Sequence, residues 1–203
     1  LVSGPTGAGK TTTLYSSVAE LVKDRGNIMT IEDPIEYRME ALSQIEVNRA
    51  AGIDFAAGLK SIMRMDPNII LVGEIRDAET AKTAVNAALT GHLVLASIHS
   101  NDAAASVVRL LDLGTEPYLV ATAVVGGLAQ RLIRKVCPHC AIETEASMTE
   151  TLAYEQEMQE TAPLFKIGQG CNYCGQTGYL GRTGVFEVLA VNEVVRKQIA
   201  AGA

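Results

Sequence analysis

The chain has 203 residues, a formal net charge of −6 and a hydrophobic fraction of 48%, which allow one domain with a sizeable core, or one domain with a small appendage. No secretory leader is visible, and the uncharged stretch 117–130 is too short to span a bilayer and predicts a buried helix. No basic surface of the kind that binds nucleic acid is apparent.

A glycine-rich turn follows the first three residues. Gly4-Pro5-Thr6-Gly7-Ala8-Gly9-Lys10-Thr11 fits G-x-x-x-x-G-K-[ST], the phosphate-binding P-loop. The turn lies between a predicted strand end at 1–3 and a predicted helix at 12–23, which favours nucleotide binding over an empty glycine-rich loop. We expect Lys10 to contact the β- and γ-phosphates of ATP and Thr11 to bind Mg²⁺, with Thr12 completing the nucleotide-binding segment.

Strands and helices alternate along the next hundred residues. We predict strands at 27–31, 44–47, 69–72 and 93–98, and helices from Asp54 to Met65, from Asp77 to about Thr90, and after a cap at Asn101 or Asp102. The continuous apolar run 69–72 is typical of a strand buried on both faces, and 93–98 is predicted as another buried strand. The sequence therefore predicts an α/β fold with a parallel sheet covered by helices, in which ligands bind beyond the carboxyl ends of the strands.

Acidic residues follow two of these strands. The run at 69–72 ends in Gly73-Glu74, where the Walker B strand of a P-loop enzyme carries an Asp that orients the Mg²⁺ shell. Because Gly73 cannot hold a cation, we expect Glu74 to polarise the attacking water as a general base. The missing charge of the metal shell is then expected from Glu32 and Glu36, for which an ordinary charged loop is the alternative.

Two of the three histidines flank one strand. His99 follows the strand at 93–98 and His92 precedes it. A donor at the position of His99 could contact the γ-phosphate and report its loss after hydrolysis. A hydrogen-bonded structural role explains a histidine at a strand end equally well, and the residues alone do not decide between the two.

Four segments in order, GPTGAGKTT, TIEDPIE, LVGEIRDAETA and TGHLVLASIHSNDA, resemble the Walker A, Asp box, Walker B and His box of the type II secretion and type IV pilus assembly ATPases (the GspE/PilB/PilT group). The resemblance covers nearly the whole chain. It implies a RecA-like P-loop NTPase fold and a hexameric, Mg²⁺-dependent ATPase. It also assigns matching residues: Lys10 and Thr11 to phosphate and Mg²⁺, Glu32 and Glu36 to the surroundings of the metal, Glu74 to catalysis, and His92 and His99 to the His box.

The four cysteines form two C-x-x-C knuckles, Cys137/Cys140 and Cys171/Cys174, separated by 30 residues. Two such knuckles can complete a tetrahedral Zn²⁺ site with no open position, which predicts a structural zinc. Disulfides are the alternative, but an ATP-using protein is expected in the reducing cytosol. A tetracysteine lobe resembles the assembly and secretion ATPases of the group more than the retraction ATPases.

We expect three segments: a RecA-like ATPase core at 1–135, a tetracysteine zinc lobe with an acidic insert at 136–182, and a C-terminal helical segment at 183–203 that contacts the core. The acidic insert follows from residues 141–166, which hold six acids and one base. The chain begins inside the strand before the P-loop, and the resemblance implies an upstream domain that supplies arginines to the ATP site. Candidates within the chain are Arg64, Arg76, Arg109, Arg131 and Arg134; Arg76 could instead pair with Asp77, and Arg131 and Arg134 follow the predicted apolar helix.

The expected function is ATP hydrolysis that powers pilus or pseudopilus assembly by a cytoplasmic homo-hexamer at the inner membrane. The expected partners are inner-membrane platform and assembly proteins, with indirect membrane association and no nucleic acid. One alternative is a RecA-like hexameric DNA translocase, which would need a basic channel and stacking aromatics. Another is a zinc-stabilised nucleotide-binding scaffold that does not hydrolyse ATP, against which Glu74 argues.

Overall fold

The computed structural model describes residues 1–24 and 26–202. It contains two compact units: unit 1 comprises Leu1–Arg131 and Val185–Ala203, and unit 2 comprises Leu132–Gly184. These bounds lie a few residues from the segment limits predicted at 135/136 and 182/183.

The strands are β1 (Val2–Ser3), β2 (Ile28–Glu32), β3 (Ser43–Glu46), β4 (Ile69–Ile75), β5 (Leu93–Ile98), β6 (Gly126–Val136), β7 (Ala141–Thr144), β8 (Phe165–Gly168) and β9 (Tyr179–Ala190). The helices are α1 (Lys10–Leu21), α2 (Phe55–Ile62), α3 (Ala78–Leu89), α4 (Ala103–Asp112), α5 (Pro117–Ala123), α6 (Met148–Met158) and α7 (Glu193–Ala200). Short 3-10 turns lie at Val22–Asp24, Arg49–Ala51 and Asn172–Cys174. None of the helices in the described ranges has both the length and the apolar character that crossing a membrane requires.

The main sheet has the strand order β3-β2-β4-β5-β1-β6-β9. The five contacts that run from β3 through β2, β4, β5 and β1 to β6 are all parallel, as predicted. Consequently the carboxyl ends of β1, β2, β4 and β5 share one edge of the sheet, and the segments that follow these strands meet there.

Carboxylate caps set the starts of three helices. Asp54, Asp77 and Asp102 each accept a hydrogen bond from the backbone N–H three residues later, at the N-termini of α2, α3 and α4. These bonds satisfy N–H groups that the helix itself leaves free. They confirm the predicted caps at Asp54 and Asp102.

Two apolar clusters cover the sheet. The larger contains Ile31, Ile70, Val72 and Ile98 of the strands with Leu59 of α2 and further residues of α3, α4 and α5. The smaller contains Val2, Ile28 and Leu71 with Leu14 and Val18 of α1. Because alternate residues of β2 and β4 enter different clusters, both faces of these strands are buried, as the apolar run at 69–72 predicted for β4.

The prediction of one buried helix over 117–130 is wrong. The helix α5 ends at Ala123, and β6 begins at Gly126. A Cβ atom on Gly126 would lie 3.1 Å from the Leu189 carbonyl oxygen, and one on Gly127 would lie 3.2 Å from that of Ala103. The glycine pair allows the backbone to approach its neighbours closely, which explains the change from helix to strand.

Arg131 and Arg134 therefore lie on β6 and do not follow a helix. After β9, α7 returns to unit 1: Ile199 is buried, and Arg196 Nε donates to the Ala121 carbonyl of α5 over 3.0 Å.

Candidate nucleotide site and cysteine cluster

The P-loop takes a conformation that its glycines permit. Gly4, Gly7 and Gly9 have φ angles of +144°, +76° and +86°. Residues that carry a Cβ atom rarely adopt such positive φ angles. A Cβ atom on Gly4 would lie 2.4 Å from the Gln130 carbonyl oxygen, so the loop also needs the missing side chain for space. Gly9 precedes α1 and offers no side-chain cap, which leaves the first N–H groups of α1 to an anion.

Lys10 lies over this loop. Its Nζ donates to the carbonyl oxygens of Gly4 at 2.8 Å and Pro5 at 3.2 Å. Burial lowers the pKa of Lys10, and the nearby carboxylate of Glu74 opposes that shift. A phosphate bound in the loop would give the ammonium group a stronger partner than two neutral carbonyls.

Glu74 lies within β4, at the edge of the sheet that carries the P-loop. Its side chain is only 13% exposed, and Oε2 lies 2.6 Å from Arg76 Nε and 3.6 Å from His99 Nε2. The structure thus brings Glu74 and His99 together, with Lys10 close by. Arg76 pairs with Glu74, while Asp77 caps α3, so the alternative pairing of Arg76 with Asp77 is not formed.

Gly73 has a steric reason to be glycine. A Cβ atom there would lie 3.2 Å from the Ile31 carbonyl oxygen and 3.3 Å from the Glu32 Cα of the neighbouring strand. The register between β4 and β5 shifts at this point, and Ser97 Oγ donates to the Gly73 carbonyl over 2.6 Å. An acid cannot occupy this position without moving β2, so a metal ion near the loop must be held by other residues.

The two acids of the second motif have different surroundings. Glu36 Oε1 accepts a hydrogen bond from Thr11 Oγ1 over 3.3 Å, which places it beside the proposed magnesium ligand. Glu32 is 4% exposed and accepts hydrogen bonds from Tyr15, from Thr30 at 2.6 Å and from Gln44 at 3.1 Å. The geometry therefore favours Glu36 for the metal shell and Glu32 for holding α1 against β2 and β3.

The pKa of Tyr15 shows that the hydroxyl and the neighbouring Glu32 are shielded from water. Burial raises the pKa of the Tyr15 hydroxyl to about 12, and the hydrogen bond to Glu32 and its negative charge add to this shift. The hydroxyl remains a donor to the carboxylate at neutral pH.

His92 is not brought to this cluster. It precedes β5 and so lies at the opposite end of that strand from His99. Its Nδ1 is 2.8 Å from the Ala87 carbonyl oxygen at the end of α3. Within one chain this contact fits a structural role, and the catalytic role of His92 stays a prediction.

Sequence reasoning missed Gln130 of β6. This side chain is 3% exposed, donates to the Ala8 carbonyl of the P-loop over 2.6 Å and accepts from Thr13 of α1 over 2.7 Å. The available signal is a polar residue directly after the apolar pair Leu128-Ala129, but the uncharged stretch 117–130 as a whole predicts a helix.

In unit 2 the four cysteines converge, as their spacing predicted. Their Sγ atoms all lie within 4.8 Å of one another, with separations of 3.9 Å for Cys137–Cys171, 3.9 Å for Cys140–Cys174 and 3.7 Å for Cys171–Cys174. Thiolates bound to Zn²⁺ at about 2.3 Å in a tetrahedron lie about 3.8 Å apart, whereas a disulfide needs about 2.0 Å. The donor set and its spacing fit zinc.

Backbone groups support this cluster. Desolvation opposes ionisation of Cys174, but the N–H groups of Cys171 and Gly178 point at its sulfur over 3.2 and 3.3 Å, and its pKa falls to about 6. Gly168 and Gly178 approach so closely that a Cβ atom on Gly178 would lie 2.4 Å from the Gly168 carbonyl oxygen. The hydrogen bonds to Cys174 and the close contact of the two glycines fix the backbone of the knuckles around the four sulfur atoms.

Together, the parallel sheet, the P-loop after β1 and the acid at the end of β4 define a P-loop nucleotide-binding protein. The family model described as type II/IV secretion system protein matches residues 1–203. The chain belongs to this family.

Curated relatives are similar over the whole chain. It is 46% identical to the type II secretion system protein HxcR of Pseudomonas aeruginosa over 202 residues, which are all of this chain and 39% of that protein. It is 48% identical to the type IV pilus assembly ATPase PilB of Thermus thermophilus over 206 residues, again all of this chain but 23% of that protein. The chain thus spans about two fifths of the first relative and about a quarter of the second.

Among solved structures, the pilus retraction motor PilT with bound ADP matches with a TM-score of 0.69 and 29% identity over 99% of this chain and 49% of that one. The ATPase DotB of Legionella pneumophila matches with a TM-score of 0.67 at 24% identity over 100% of this chain and 47% of that one, a likeness of fold alone. These matches support the RecA-like sheet that the resemblance implied.

Proposed function

We propose that this chain is the ATP-hydrolysing motor domain of a protein that powers pilus or pseudopilus assembly, in type IV pilus biogenesis or type II secretion. The observation that carries the proposal is the position of Glu74: a nearly buried carboxylate at the strand edge of the P-loop, in contact with His99 and Arg76. A protein that only binds nucleotide has no need for a carboxylate held there.

Each residue of the site has a distinct task in this proposal. The N–H groups of the loop and Lys10 bind the phosphates of ATP, and Glu74 takes a proton from the attacking water. Thr11 and Glu36 would hold Mg²⁺, which neutralises phosphate charge when bound. His99, beside Glu74, would contact the γ-phosphate and respond to its loss.

The rest of the proposal concerns the assembled protein. The relatives include proteins named for type II secretion and for type IV pilus assembly. We place the chain in a cytoplasmic homo-hexamer at the inner membrane, where platform and assembly proteins would be its partners. Zn²⁺ in the cysteine cluster would be structural, since four thiolates leave no position for a substrate.

Phosphate release tests this function. Because the chain spans less than half of these relatives, the assay uses the longer protein that contains it, with Mg-ATP, with ATP and no added Mg²⁺, and with added DNA. We expect turnover that requires Mg²⁺ and does not respond to DNA. A matched variant, Glu20→Gln on the exposed side of α1, should retain wild-type turnover. Tight ATP binding without phosphate release would favour the scaffold, and strong stimulation by DNA would favour the translocase.

A further inference from the structure

The P-loop has a fixed support on β6. For a loop to surround a phosphate with N–H groups, its carbonyl groups must point away from the ligand, and those that are buried need donors. Ala8 is 3% exposed, and its carbonyl oxygen receives its hydrogen bond from Gln130 Nε2 over 2.6 Å. Ala8 and Gln130 are 122 residues apart in sequence.

The Gln130 amide is itself held in place. Thr13, on the first turns of α1, donates its hydroxyl to Gln130 Oε1 over 2.7 Å. One side chain therefore joins the loop, the helix that follows the loop, and the sheet. The main chain of Gln130 adds a steric limit, because its carbonyl oxygen closely faces the α-carbon of Gly4. The first glycine and the fifth residue of the P-loop thus both lie against one residue of β6.

We propose that Gln130 is a positioning residue that fixes the phosphate-binding conformation of the P-loop. It does not contact the nucleotide, and it acts by orienting the Ala8 peptide and the start of α1. The inference rests on the proposed nucleotide binding, and it adds a specific dependence: the affinity for phosphates is set in part by an amide on β6.

Three variants of the longer protein that contains this chain test the inference. Gln130→Met keeps the length and removes both hydrogen bonds. Gln130→Glu keeps the acceptor for Thr13 but sets an oxygen against the Ala8 carbonyl. Thr13→Val releases the amide without changing β6. The matched control is Gln198→Met, since Gln198 is an exposed residue of α7.

The readouts are the dissociation constants of ADP and ATP by calorimetry and the unfolding temperature without nucleotide. An unsatisfied buried carbonyl should weaken binding of both nucleotides at least about tenfold in Gln130→Met and in Gln130→Glu. Thr13→Val should weaken binding by a smaller factor, and Gln198→Met should not change it.

Two results would overturn the inference. In one, the Gln130 variants unfold at lower temperature but bind ADP and ATP within about twofold of wild type, as a purely structural residue would allow. In the other, should Gln130 variants fail to fold, Thr13→Val binds both nucleotides as wild type does. Failure of the wild-type longer protein to bind either nucleotide would contradict the proposed function itself, which distinguishes the two failures.

Discussion

Unit 1 is held together by apolar side chains packed around a sheet, whereas unit 2 buries almost none of its apolar side chains. In unit 1, strand residues such as Ile70, Val72 and Ile98 are completely shielded from solvent. Among the described residues of unit 2, the only buried apolar side chains are Cys137 and Cys174, and larger ones such as Met148 and Leu152 are exposed. The same chain therefore folds one part by the hydrophobic effect and the other around four sulfur atoms.

The difference also separates folding from function. In unit 1 the nucleotide site lies at the edge of a core that does not depend on it, so site residues can change without loss of the fold. In unit 2 the candidate metal ligands are themselves the core. Loss of the nucleotide should leave unit 1 folded, whereas loss of the metal should unfold unit 2.

The largest expected effect follows loss of metal from unit 2. Structural zinc contributes about 10–16 kcal/mol in small domains, so Cys137→Ser or chelation should unfold 132–184 while the sheet of unit 1 stays protected. Hydrogen exchange read by mass spectrometry, with metal analysis of the same sample, measures this. Met148→Ser, at an exposed position of α6, is the control. Unchanged protection of unit 2 without metal, or four free thiols and no zinc after reducing purification, would contradict the zinc assignment.

The second effect concerns the ligand of unit 1. Lys10→Ala removes a charged donor that would face the phosphates, and charged hydrogen bonds contribute about 1.5–3 kcal/mol. We expect nucleotide affinity and turnover to fall together, by about 10- to 100-fold, with little change in unfolding temperature. Lys23→Ala, at an exposed lysine in the turn after α1, should change neither. A Lys10 variant that unfolds would show that site and core are not separable.

A third test concerns the close approach of β4 to β2. Gly73→Ala places a methyl group 3.2 Å from the Ile31 carbonyl oxygen, and such overpacking costs about 1–3 kcal/mol. Denaturant unfolding should show this loss. Gly26→Ala meets Asn68 only at 3.4 Å and should cost less. Equal stability of the two variants would mean that the β2–β4 contact has more room than the distances indicate.

A fourth test, with an effect of similar size, concerns the buried hydroxyl of Tyr15. Tyr15→Phe leaves an oxygen of Glu32 without its donor, which should lower the free energy of unfolding by about 1–3 kcal/mol at neutral pH. Because the folded pKa of about 12 exceeds the ordinary value of 10.0, this stabilisation is complete below pH 10 and is lost as pH rises to 12. The difference between wild type and Tyr15→Phe should therefore shrink at alkaline pH. Tyr173→Phe, at an exposed ring, serves as the control, and a difference that does not depend on pH would contradict this account.

The sequence was sufficient to predict those elements whose structure is determined by the residues of one short segment. An uninterrupted apolar run at 69–72 defined the start of β4, a carboxylate cap defined the start of α2, and the two knuckles defined the cysteine cluster. The prediction of a single helix over 117–130 failed, because the absence of charge does not distinguish a buried helix from a buried strand. The glycine pair within it was the local sign of close backbone contact.

Contacts between distant segments could not be predicted in this way. Nothing near Ala8 indicates that its carbonyl needs Gln130, which lies 122 residues later in the sequence. The positions of Glu32 and Glu36 illustrate the same limit, because two acids of one motif differ completely in burial. These contacts depend on which strands are neighbours in the sheet, and a short segment of sequence does not specify that order.

The central claim is that Glu74 performs chemistry at a site that other residues build. The most direct measurement compares ATP dissociation constants and turnover for wild type and Glu74→Gln in the longer protein. Gln keeps the shape of the side chain but cannot accept a proton, so ATP binding should stay within about threefold of wild type while turnover falls about 10²- to 10⁴-fold. Turnover that survives in Glu74→Gln, or that falls only in parallel with ATP affinity, would contradict the account.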